Sequence, residues 1–177
     1  VRITDLTLND STINLAADEI LAHIATLKDT DDTVIFQSVK RGVWTNADKP
    51  NEDNVPACRL WYRTVDINIE SDQFYTGERE VQYVLCLYFW LPQLDVNAQP
   101  IDAMQLLTNL AETVLKSLQY TDSSGVGFSW SNYWRPVSEQ TVSIDFAPKL
   151  QRFNEVQPLN PPWYVATITF NALVFNQ

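Results

Sequence analysis

Few residues in this chain are of a type and spacing that could do chemistry. His23 is the single histidine. It falls at the margin of an apolar helical stripe, with no nucleophile or carboxylate at a spacing that would make it a general base. It reads as an ordinary boundary histidine. Asp29, Asp31 and Asp32 form a short acid run. A calcium loop needs a central glycine and a distal glutamate, and this run has neither, so it reads as a solvated turn. Cys58 and Cys86 are the only cysteines. They make no CxxC or Cys/His metal spacing and read as small buried hydrophobes, with a disulfide between neighbouring strands as the alternative. Gly125-Val126-Gly127 lacks the lysine of a phosphate loop and does not open a helix after a strand. No metal, cofactor or catalytic constellation is expected. The remaining candidates are aromatic. Phe128, Trp130, Tyr133 and Trp134 crowd one glycine-bearing stretch, and Trp44 stands in a polar one. Such side chains build platforms for sugars, bases or proteins.

The elements that would position them are legible from periodicity. Val81, Tyr83, Leu85, Leu87, Phe89 and Leu91 fall on one face of a strand, and Val84, Cys86, Tyr88 and Trp90 on the other. A strand apolar on both faces is covered on both, which predicts a central strand over Arg79 to Leu91. The stretch Cys58 to Ile69 predicts its antiparallel hairpin partner, with Trp61, Val65, Ile67 and Ile69 sharing a face. Arg59 and Arg63 on that strand are expected to form ion pairs with acids such as Asp66 or Glu80. Ile13, Ala17, Ile20, Ile24 and Leu27 predict a helix over Ile13 to Lys28, capped by Asp10, Ser11 or Thr12. Ile101, Met104, Leu107, Leu110, Ala111, Val114, Leu115 and Leu118 predict a second over Pro100 to Leu118. Short strands are expected over Thr33 to Val39 and Ser138 to Ala147, and a half-buried one over Trp163 to Phe175, where Ala166, Ile168, Phe170, Ala172 and Val174 alternate with polar residues. The polar stretch Lys40 to Pro56 is long for a connector in a compact domain. The fold class predicted is α+β: a mixed, mainly antiparallel sheet with two amphipathic helices packed on one face. The second face of the central strand then needs a cover, either the aromatics of Tyr120 to Pro136 or another subunit.

The chain has 177 residues, 45% hydrophobic and 19% charged, which suggests one globular domain. Its net charge is −10. Free-standing nucleic-acid binders carry the opposite sign, because they neutralise phosphates. An acidic surface serves DNA in one other way, by keeping a passing duplex from sticking. No apolar run approaches the roughly 20 residues needed to span a bilayer, and no signal-peptide pattern is visible.

In order and texture the chain resembles the tail terminator and tail-completion proteins of long-tailed bacteriophages. The points of similarity are the helix over Ile13 to Lys28, a short strand, the strand with Arg59-Leu60-Trp61-Tyr62, and the hairpin from Gly77-Glu78-Arg79 to Tyr88-Phe89-Trp90. The helix with Leu110-Ala111-Glu112-Thr113-Val114 and a final strand complete the pattern. The long Tyr120–Pro162 region departs from it. The resemblance implies a structural virion protein in the tail or neck, assembled in the host cytoplasm, with no enzymatic activity. It implies a hexameric ring that caps the tail tube, meets the tail tube protein and a neck or connector protein, and lets DNA through. On that reading Arg41, Trp44, Trp130, Tyr133 and Trp134 are the expected contacts with neighbours. The acids Asp29, Asp31 and Asp32 are expected to face the lumen. The alternatives are another neck, connector or tube subunit, a carbohydrate-binding module or small hydrolase using Trp130, Tyr133 and Trp134, and a ligand-binding α+β domain.

Overall fold

The computed structural model describes residues 10–42, 53–67, 79–90, 100–119, 132–137, 142–147 and 163–175. Their order is α1 (Thr12–Ala25), β1 (Ser38–Arg41), β2 (Ala57–Ile67), β3 (Arg79–Trp90), α2 (Pro100–Gln119), β4 (Trp134–Pro136), β5 (Ser143–Ala147) and β6 (Trp163–Val174). The strands form one mixed, mostly antiparallel sheet in the order β1-β2-β3-β6-β4, with β5 also on β6. Both helices contact this sheet.

The centre is the β3–β6 ladder, which runs unbroken from Arg79↔Val174 to Trp90↔Trp163. The period of two divides β3 as its sequence predicts. Val81, Tyr83, Leu85, Leu87 and Phe89 join the larger core with α1 and α2. Val84, Cys86 and Tyr88 enter a second cluster on the opposite face with Val55, Ala57 and Val165. Both faces are buried. On β6 the even-numbered residues from Tyr164 to Val174 are buried, while Thr167, Thr169 and Asn171 are half-buried. The polar row is used: the Thr167 hydroxyl meets the Cys86 thiol at 3.3 Å, and Asn171 donates to the Glu80 carboxylate at 2.7 Å.

On β6 the edge away from β3 is shared. β4 pairs from Trp134↔Val174 to Pro136↔Ala172, and β5 from Ser143↔Thr169 to Ala147↔Val165. The two pieces run in one direction along the same edge of β6, and the Val137 N–H after β4 also donates to the Asn171 carbonyl at 3.2 Å.

Two expectations about β1 and β2 are corrected. The strand expected over Thr33 to Val39 lies further on, at Ser38–Arg41. Val34 instead bridges back to Lys28, and the Ile35 N–H reaches the Leu27 carbonyl at 3.0 Å. This fold-back starts early because α1 stops at Ala25, short of the expected Lys28. The Thr26 hydroxyl takes the His23 carbonyl at 2.7 Å, competing for a backbone acceptor of the last turn. β1 then pairs with β2 in parallel, Ser38↔Ala57 to Arg41↔Leu60. Consecutive parallel strands need a crossover of a dozen or more residues. The length of the Lys40–Pro56 stretch therefore has a topological cause. It opens with Gly42 at φ 82°, the left-handed region that glycine enters without steric cost. It returns through Val55, buried on the second sheet face.

The second correction is to the faces of β2. Trp61 packs on the second cluster, whereas Val65 packs on the helix-side core. A register shift between Tyr62↔Tyr83 and Thr64↔Gln82 leaves Arg63 as an extra residue, and such a bulge reverses which side chains point up. Arg59, on the second face, is 1% exposed, and its Nη1 donates to the Ser38 hydroxyl at 3.0 Å and the Cys58 carbonyl at 3.3 Å.

Candidate functional site

The residues that sequence reasoning selected do not converge on one place. Trp44 and Trp130 lie outside the described residues. Arg41 ends β1, with its Nε 3.0 Å from the Asp18 carboxylate on α1, both side chains partly exposed. Tyr133 is half-buried against the helix-side core, and its carbonyl accepts the Phe175 N–H at 3.0 Å. Trp134 is 1% exposed, and its ring lies 6.2 Å from Phe170, centroid to centroid. The expectation that Trp134 meets a partner is thus corrected: this chain's own core already covers the indole. Tyr133 and Trp134 also pack on the helix side, so among the described residues they do not cover the second sheet face.

The acid run is a built turn. The Asp29 carboxylate accepts the N–H groups of Asp31 and Thr33, each at 2.9 Å, and the Asp29 N–H donates to the Thr33 carbonyl at 2.9 Å. Asp32 takes a left-handed conformation at φ 64°, which aspartate enters more readily than most residues. Its carboxylate lies 2.8 Å from the Lys28 ammonium. All three aspartates are exposed. Among the described residues, no group of three or more His, Cys, Asp or Glu side chains could hold a metal ion.

Beside this turn runs a groove of about 680 Å³. Its walls are Val34 and Ile35 after the turn, Pro56 before β2, and Leu106 and Leu110 on α2, with Asp29 at its rim. A smaller hollow of about 250 Å³ lies where β1 ends, between Asn14 and Ala17 of α1 and Arg41, Gly42, Leu60 and Tyr62. Val34 and Tyr62 are the large hydrophobic side chains left exposed among the described residues, at 42% and 44%.

The shifted titrations have structural causes. Burial pushes the Cys58 thiol and the Tyr88 hydroxyl far up. Burial also raises Cys86, against the opposing hydrogen bond of Thr167. Burial raises Tyr83 as well, and its hydroxyl donates to the Ile13 carbonyl at 2.9 Å. His23 is held below its usual value by burial, opposed by its hydrogen bond to the Ser117 carbonyl at 3.1 Å. These groups join elements and hold the core together.

Sequence reasoning missed Glu19, Val34 and Tyr62. Glu19 sits beside the apolar stripe of α1 with nothing in the sequence to pair it with Asn132. Val34 and Tyr62 lie in apolar stretches whose outward members alternation alone does not identify. No known family model matches the chain, and no curated protein matches it.

Proposed function

We propose that this chain is a structural subunit of a long-tailed phage virion. It forms a hexameric ring at the head-proximal end of the tail, closing the tube and joining it to the neck while DNA passes. The observation that supports this reading is the order of elements: helix, strand, long antiparallel hairpin, helix, closing strand. The resemblance rests on that order, and the fold realises it as one sheet with its helices on one face. The net charge of −10 suits a passage that must not hold phosphates. Asp31 and Asp32, exposed at the tip of their turn, would present that charge. The carbohydrate reading loses a member of its aromatic platform, because Trp134 is buried.

The test is direct. Purified particles are imaged with an antibody or gold label on this chain, and the assembled species is weighed by native mass spectrometry. A sixfold ring at the junction of tail and neck is expected. A chain absent from the particle, or present there as a monomer, overturns the proposal.

A further inference from the structure

β4 ends the sheet on the side away from β1, and two bonds to β6 fix which way its backbone groups point. The Phe175 N–H donates to the Tyr133 carbonyl at 3.0 Å, and the Val137 N–H donates to the Asn171 carbonyl at 3.2 Å. In an antiparallel pair, alternate residues turn their N–H and C=O groups to the partner and the rest turn them away. Tyr133, Arg135 and Val137 therefore face β6. Asn132, Trp134 and Pro136 turn outward, where no further strand lies among the described residues. Such an outer row is a template on which another chain can add a strand. Two of its three positions do not serve. The Asn132 N–H is taken by the Glu19 carboxylate at 2.9 and 3.1 Å. Pro136 has no N–H to give, and proline in a sheet sits where the missing donor would face away from the ladder. Glu19 also accepts the Asn132 side-chain amide and the Tyr133 N–H. An acid from α1 thus closes the start of β4, and a proline of β4 itself closes its end. β1, on the opposite side of the sheet, is Ser38-Val39-Lys40-Arg41, and every residue of it has an N–H.

We infer that Glu19 and Pro136 together form a block that refuses an edge strand of a second copy at β4. Without the block, β1 of one copy would find a continuous row of donors and acceptors at β4 of the next. That contact would join two different edges, so it would be heterologous. Such contacts run on as filaments unless their rotation closes them. The block therefore keeps copies of this sheet from growing into one another by backbone pairing. It acts on one side of the sheet only, and it leaves contacts made through side chains untouched. The inference does not rest on the ring reading. It states which edge is barred, and it holds whether or not copies meet elsewhere on their surfaces.

The test compares full-length variants with wild type in sedimentation velocity and native mass spectrometry over a concentration series. Glu19→Ala combined with Pro136→Thr restores both outer donors. The double variant is expected to associate at least about 10-fold more strongly than wild type, the scale of two regained backbone hydrogen bonds. In its associated species the amide hydrogens of residues 132, 134 and 136 should exchange more slowly than in its monomer. Ile24→Val trims a buried side chain of α1 away from this edge. It should associate as wild type does, which separates a freed edge from a mere loss of stability. A folded double variant that associates no more than wild type overturns the inference. So does association that Ile24→Val matches, or association that leaves exchange at 132 to 136 unchanged. Where the double variant fails to fold, Pro136→Thr alone decides, because it keeps the Glu19 clamp. It should associate more strongly than wild type with the same slowed exchange, and unchanged association overturns the inference.

Discussion

Both carboxylate oxygens of Glu19 hold the backbone N–H of Asn132, at 2.9 and 3.1 Å. The same carboxylate accepts the Asn132 side-chain amide at 2.9 Å and the Tyr133 N–H at 3.1 Å. One residue of α1 therefore fixes where the chain enters β4, and with it the placement of Trp134 in the core. Hydrogen bonds to a charged acceptor exceed neutral ones in strength, and partial exposure reduces the gain.

Glu19→Ala is expected to cost about 1–2 kcal/mol in chemical denaturation. The amide hydrogens of residues 132 and 133 should exchange faster, with those of β3 unchanged. Glu19→Gln should fall between. Unaltered exchange at 132 and 133 would show that the clamp does not hold the strand.

Trp134→Ala removes a large side chain from a packed core, which costs about 3–5 kcal/mol. The loss should appear in the isolated chain's unfolding midpoint, and Trp134→Phe should recover part of it. A variant of normal stability that fails only in assembly would restore the surface role that the sequence suggested.

The titration of His23 gives a stability slope with a definite sign. Its folded-state pKa lies below the ordinary value of 6.5, so the unfolded chain binds the proton first as pH falls. Its stabilising contribution is complete above pH 6.5 and is lost as pH drops below that value through the folded pKa. His23→Gln keeps a donor for the Ser117 carbonyl and does not titrate. The difference in unfolding free energy between wild type and variant should therefore change below pH 6.5 and stay flat above it. A flat difference across that window would count against the burial of His23 between the helix ends.

Cys58 and Cys86 sit on adjacent strands but on opposite faces, since Cys86 pairs with Arg59 and Cys58 packs with the helix-side core. The disulfide left open by the sequence is thereby excluded in the folded chain. Both thiols are buried, and burial favours their neutral form. A thiol-specific reagent at pH 8 should label neither in the native protein and both in denaturant. Rapid native labelling of either residue would contradict this.

What the sequence made legible follows from where local pattern and tertiary packing agree. β3, β6 and α2 were readable because Val81 to Phe89, Tyr164 to Val174 and Leu107 to Leu118 keep the period of their element along its length. The start of β1 is not legible because Val34, Ile35 and Phe36 are consecutive and apolar, with no alternation to say which turns inward. Phe36 is buried and Val34 is exposed. The bulge at Arg63 carries no glycine to announce it, so the faces beyond it were inverted. Arg59 stands between the apolar residues Cys58 and Leu60, and its burial depends on the cover over the second face, which is a tertiary fact. Aromatic density marks cores and contact surfaces alike, so the sequence does not tell that Trp134 turns inward. The Glu19–Asn132 clamp joins residues remote in sequence, and no local rule predicts such a pair.

The β3–β6 ladder has a consequence for how the molecule is made. β3 leaves the ribosome well ahead of β6, with α2, β4 and β5 in between. Throughout that interval its greasy rows have β2 on one side and an unzipped backbone on the other. Closing so long a loop carries an entropic cost, so β3–β6 pairing is expected to be a late step, and β3 amides should gain protection from hydrogen exchange no earlier than those of β6.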